Sequence, residues 1–370
     1  MTETQNPFFE NIHTPHGTVP FDRIAVEHYA PAIRRGIECQ NEEIDAIVNN
    51  PEPADFHNTI LALEKSGQLL HRVEVVFDNL LSAETNDAMQ ELAKELMPLL
   101  SEHANNITLN ERLFERVKTA YEHRNNEPLT AEQRKLTEDT YEGFVRSGAN
   151  LQGADKEKYR ELSRQLSLLT LQFSENDLKE TNDYQLVLTD EAQLKGLPQS
   201  AIDAAAETAR EKQQEGWVFT LHAPSYVPFL TYAADRDLRK EIYMAYNTKC
   251  THANACNNLD IVKQLVNTRL ALAQLLGYKD YATYKLERRM AQNSANVYHL
   301  LDQLLEAYKP TAQKEYAEVQ ALAHEEQGAD FTLMPWDWGY YSQKLKDRKF
   351  NLNDEMLRPY FELENVKKGV

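Results

Sequence analysis

Apolar residues recur at helical spacing along most of this chain, from about residue 26 almost to its end. HYAPAIRRGIECQNEEIDAIVNN (28–50) reads as the first long helix. Pro51 and Pro53 close it, because proline has no backbone N–H and crowds the preceding turn. Asp55 is the expected N-cap of the next helix, where Phe56, Leu63, Leu70 and Phe77 recur every seven residues and Val73 and Leu80 fill the same stripe. Thr130 and Gln133 have the spacing of a capping box and mark another helix start. From Asp155 onward Tyr159, Leu162, Leu166, Leu169 and Phe173 alternate spacings of three and four, a stripe that predicts a long helix facing a core.

One interruption stands out. YQLVLT (184–189) and WVFTLH (217–222) are β-branched and aromatic runs on either side of a helical stretch, and they predict two strands pairing in a small accessory sheet. After Pro228 the helical pattern returns, with Pro310 inside it as an expected kink. No repeat of solenoid length is present. The chain therefore divides into an extended N-terminal arm (1–25), a helical region (26–183), a strand–helix–strand insert (184–222) and a second helical region (223–370). The fold class is mainly α.

Composition agrees with helix and narrows the partners. The 370 residues include only 12 glycines and 14 prolines, too few for a protein built from tight turns. Lys and Arg number 40 against 58 Asp and Glu, a formal charge of -18 that repels phosphate backbones and anionic membrane surfaces. No nucleic-acid or membrane partner is expected. The start MTETQNPFFE lacks the basic and apolar regions of a signal peptide, and no apolar run is long enough to span a bilayer, so a cytoplasmic location is expected. Three scattered cysteines suit a reducing compartment.

Two short stretches invite a metal reading. CTHANAC offers Cys250, His252 and Cys256, but no fourth ligand stands at a usual spacing, and small residues in a helix connection explain it better. HEEQG (324–328) begins like a His-Glu-x-x-His zinc helix, but its fifth residue is Gly328. It reads as a helix C-terminus, with Gly328 at a left-handed cap position and His324 near the negative end of the dipole. Nucleophile elbows, phosphate-binding glycine loops and dinucleotide fingerprints do not occur. Of the 18 tyrosines, 13 lie at or after Tyr226, and tyrosine suits both half-buried helix contacts and the wall of a wet peptide groove. The densest aromatic segment is MPWDWGYYSQKL (334–345), where Pro335 or Asp337 is expected to open a helix. At the end, Leu363, Val366 and Val370 form an apolar stripe still running at the last residue, as if the chain were cut from a longer protein.

Four blocks carry a family resemblance: NPFFENIHTPHGTVPFDRIAVEHYAPAI, PADFHNTILALEKSGQLLHRVEVVFDNLLSAETND, QLLGYKDYATYKLERRMA and PWDWGYYSQKLKDRKFNLNDEMLRPYFELENVKKGV. They resemble the thimet oligopeptidase and neurolysin family of zinc metallopeptidases, nearest to its bacterial peptidyl-dipeptidase branch. The resemblance implies a multi-helix lobe of a bilobal, neurolysin-like ellipsoid with a narrow channel for short unstructured peptides. It also implies a zinc-activated water and a glutamate base supplied by a catalytic domain beyond residue 370, which would leave this chain without zinc ligands or catalytic residues and inactive alone. Arg288, Arg289, Trp336 and Tyr340 are the residues expected on the channel wall. Internal cleavage of peptides and a non-catalytic, peptide-binding scaffold are the alternatives.

Overall fold

The computed structural model describes residues 6–10, 13–351 and 354–369. It is mainly α-helical, and among the described residues it holds one two-stranded antiparallel sheet. No described helix is long and apolar enough to cross a membrane. The chain forms two compact units, one of residues 1–173 and 261–285, the other of residues 174–260 and 286–370.

The first unit is a helical stack with several apolar centres. Helices Tyr29–Val48, Gln68–Ala83 and Asp87–Thr108 enclose Tyr29, Ile33, Val73, Phe77 and Leu96, and Phe8 packs its ring on Tyr29. Fully burying a side chain of this size contributes about 1.5–3 kcal/mol. Helices Glu111–His123 and Ala131–Arg146 close a second centre around Ile44, Phe56, Ile60, Leu113, Phe114 and Phe144.

Asp55 caps as the sequence predicts: its Oδ1 accepts the Asn58 N–H at 2.7 Å, and its own N–H reaches Asn58 Oδ1 at 3.1 Å. Thr130 and Gln133 make the reciprocal pair, at 3.2 and 3.0 Å. The helix after Asp55 differs from expectation, because it is three pieces rather than one. A π-helical turn, Phe56–Ile60, leads into Leu61–Glu64, and Gly67 in the left-handed region at φ 71° separates these from Gln68–Ala83. The seven-residue stripe survives the break but serves two of these centres, Phe56 in one and Leu70 and Phe77 in the other.

The Ala154–Asp183 helix is the long helix expected from residue 155. Tyr159 and Leu169 are buried, whereas Phe173, the last member of the predicted stripe, is 38% exposed. In the second unit strands Leu186–Leu188 and Trp217–Phe219 pair antiparallel, Leu186 opposite Phe219 and Leu188 opposite Trp217. Their inward side chains join Leu221, Phe229 and Ile242 in an apolar centre of this unit, between helices Gln199–Glu211, Ala223–Tyr232 and Arg236–Asn247. Helix Ser294–Gln327 passes through Pro310 without interruption, and at its far end Val319, Leu322 and Ala323 pack with Leu333 and with Tyr341 of helix Trp338–Phe350. Residues 354–369 add the short helices Asp354–Leu357 and Leu363–Gly369. Of the predicted terminal stripe, Leu363 and Val366 are exposed, and Val370 lies outside the described residues.

Candidate functional site around Asp337

The aromatic segment is organised by a carboxylate. Pro335 opens a single turn, Pro335–Asp337, which runs into helix Trp338–Phe350. The Asp337 side chain turns inward and is fully buried. An ionised carboxylate is stable in such a place only when cations and N–H donors surround it. Arg239, 2% exposed, donates Nη2–H to Oδ1 at 2.9 Å, and Arg236 donates Nη2–H to Oδ2 at 2.7 Å. Nε–H of Arg236 lies 3.1 Å from both oxygens, and the Met334 N–H reaches Oδ2 at 3.0 Å.

The two arginines come from the first turn of helix Arg236–Asn247, three residues apart and so on one face. Asp235 starts that helix by accepting the N–H groups of Asp237 and Leu238 at 2.9 and 3.1 Å. Arg239 spends its other donors on backbone carbonyls, Ala233 at 2.7 Å, Ala234 at 3.1 Å and Trp336 at 3.2 Å. Its guanidinium lies 4.2 Å from the Tyr340 ring centre, and that of Arg236 lies 4.3 Å from the Phe331 ring centre. Burial opposes ionisation of Asp337, but the donors on Arg236, Met334 and Arg239 outweigh it, and its pKa falls below the ordinary carboxylate value. A carboxylate so saturated with donors and closed to solvent serves as a clamp between helix and turn, and has no free lone pair with which to act as a base.

Trp336 and Tyr340, two of the four residues expected on a channel wall, are thus brought together at this clamp. Trp336 makes an edge contact with Tyr243 at 6.1 Å and lies 5.3 Å from the Lys240 ammonium, and its buried indole N–H has no hydrogen-bond partner. Tyr340 sits between Arg239 and Tyr341. Arg288 and Arg289 lie elsewhere, in the exposed turn between helices Tyr281–Leu286 and Ser294–Gln327. Sequence reading missed Arg236 and Arg239. The available signal was an Arg-x-x-Arg pair directly after a capping aspartate, which offers two cations on one helical face to any buried acid.

Neither metal-like stretch fits the zinc ion that the resemblance implies. His324 Nε2 is engaged by the Phe331 carbonyl at 2.9 Å, and Glu325 and Glu326 pair outward with Arg348 at 2.7 Å and Lys344 at 2.5 Å. Gly328 does cap the helix with positive φ, as expected, but its ψ of 160° is extended rather than left-handed helical. His324 stands in the last turn, where its carbonyl accepts the Gly328 N–H at 2.9 Å, while its ring reaches into the following loop. CTHANAC is the predicted helix connection, between Arg236–Asn247 and Leu259–Leu275. Glu180 accepts the Cys250 N–H, and Asn254 donates to the same carboxylate at 3.0 Å. Burial, with Glu180 beside it, pushes the Cys250 thiol up to about 12, and burial raises Cys256 as well, as in thiols packed within a helix connection. Among the described residues no three His, Cys, Asp or Glu side chains are grouped to hold a metal ion.

Residues 229–370, which contain the whole Asp337 clamp, match the model of peptidase family M3. Over those residues the chain is similar to that peptidase family. It is 37% identical over 364 residues to the dipeptidyl carboxypeptidase of Escherichia coli, an alignment covering 98% of this chain and 53% of the relative. It is 34% identical over 362 residues to the dipeptidyl carboxypeptidase of Salmonella typhimurium, covering 98% and 53%. The oligopeptidase A of Escherichia coli is 32% identical over 361 residues, covering 96% and 53%. The chain spans about half the length of the curated relatives it matches.

Proposed function

We propose that this chain is the N-terminal, non-catalytic lobe of a zinc-dependent peptidyl-dipeptidase of the cytoplasm, which removes dipeptides from the C-terminus of short unstructured peptides. The observation that carries the reading is the 37% identity to a dipeptidyl carboxypeptidase along 98% of the chain. In this reading the zinc ligands and the general base belong to a catalytic domain outside the chain, and the lobe supplies part of the wall that limits which peptides enter. Trp336 and Tyr340 contribute through the surface that the Asp337 clamp holds rigid, and Arg288 and Arg289 contribute exposed positive charge. The match of residues 229–370 to a peptidase family supports peptides as the substrate class.

Oligopeptidase A, at 32% identity, supports the second reading, internal cleavage of peptides. The test uses the product of the complete coding sequence and two N-terminally blocked peptides, one with a free and one with an amidated C-terminus. Stepwise dipeptide release from the free peptide alone, abolished by a chelator, is the expected result. Cleavage of both peptides at an internal bond would establish the second reading, and hydrolysis of neither would leave a peptide-binding scaffold. The 370-residue chain is expected to release no dipeptide.

A further inference from the structure

Helix Ser294–Gln327 has one apolar face, and only its last part is covered. Every residue from Tyr298 to Ala317 is exposed, including Leu301, Leu305 and Tyr308 at 51, 61 and 66%. Leu301, Leu305, Tyr308, Ala312 and Tyr316 follow one another at spacings of three and four, which keeps them on one side of an α-helix. Continued with the same spacing, that side reaches Val319 and Ala323, which are buried with Tyr341 of helix Trp338–Phe350. The covering helix meets only this end: Trp338 stacks on Tyr316 at 6.2 Å, Tyr341 packs with Val319, Leu322 and Ala323, and Lys349 and Lys344 pair with Glu318 and Glu326. An established helix–helix seam therefore continues as an uncovered stripe on the same helix. Contiguous exposed apolar surface of this kind marks an interaction site.

We infer that this stripe is the seat of an apolar helix face from the remaining part of the protein, the part corresponding to the half of its relatives that the chain does not match. The inference rests on the reading of the chain as one lobe of a longer peptidase. Relatives that align with 98% of this chain extend over about twice the matched length, so a polypeptide of comparable size is available as the occupant. The occupant continues the seam that helix Trp338–Phe350 begins, and its chemistry is apolar at helical spacing, with few acidic groups against a chain that already carries a formal charge of -18.

The experiment compares Leu305→Cys, on the stripe, with Gln303→Cys, on the opposite side of the helix, in the product of the complete coding sequence and in the 370-residue chain. Each variant is treated with a maleimide, and modification at the new site is followed by mass spectrometry, with circular dichroism confirming unchanged helix content. Leu305→Cys should react about ten-fold or more slowly in the complete product than in the 370-residue chain, while Gln303→Cys reacts alike in both, because burial protects only the covered face. Equal rates for Leu305→Cys would overturn the seat while leaving the two-lobe reading intact. Slow, concentration-dependent labelling already in the 370-residue chain would overturn it in favour of a second copy. A coding sequence that stops at Val370 would overturn both.

Discussion

The two ends of helix Ser294–Gln327 have the same apolar face and opposite surroundings. At the C-terminal end Val319, Leu322 and Ala323 are buried, the helix is clipped by ion pairs to Trp338–Phe350, and the Asp337 clamp fixes the turn that starts its partner. At the N-terminal end leucines of equal size stand in solvent. Sequence pattern alone gives the two halves the same status, and the presence of a packing partner is what separates them. Burial, rather than hydrophobicity as such, sets what a residue contributes to stability.

The sharpest way to break the contrast is to remove the anchor of the packed end. Asp337→Ala leaves Arg239 buried without its counter-charge and should cost about 3–5 kcal/mol in urea unfolding. A loss below about 1 kcal/mol would show that Arg239 is satisfied by backbone carbonyls alone. The next test compares two leucines on one helix. Leu322→Ala should destabilise by about 2–4 kcal/mol, and Leu305→Ala in the 370-residue chain by less than about 0.5 kcal/mol. Similar values would mean that the bare end is covered in solution.

The smallest effect is that of pH. The folded-state pKa of Asp337 lies below its unfolded value, so the clamp contributes fully above the unfolded value of about 4 and is lost as pH falls through the folded one. The difference in urea midpoint between the wild-type chain and Asp337→Asn should therefore be largest near pH 6 and shrink toward pH 3. A difference independent of pH would assign the stabilisation to shape rather than charge.

Local chemistry made much of the fold legible. A capping aspartate at 55, a Thr-x-x-Gln box at 130 and two β-branched runs around a helix each fold as their own residues dictate, because the partners lie within a few positions or in matching strands. What stayed hidden depends on distance or on a single torsion. Arg239 and Asp337 are 98 positions apart, and nothing local says that this aspartate is buried. Gly67 breaks a helix whose seven-residue stripe runs on undisturbed, since the left-handed turn returns Leu70 and Phe77 to a core, although to a different one. Trp336 and Tyr340 were singled out for their aromaticity, and the reason they sit where they do is the charge between them.

The wide turn Phe56–Ile60 closes its hydrogen bonds from residue i to i+5, holding one residue more than an α-helical turn. A turn of this sort takes up one residue more than its α-helical equivalent, so a one-residue deletion there would convert it to ordinary α-helix. Wherever a relative has lost it, an alignment would show a single-position gap within FHNTI and unbroken similarity on both sides. That gap would record a change in how the backbone is coiled, with no loop shortened and no side chain of the core exchanged.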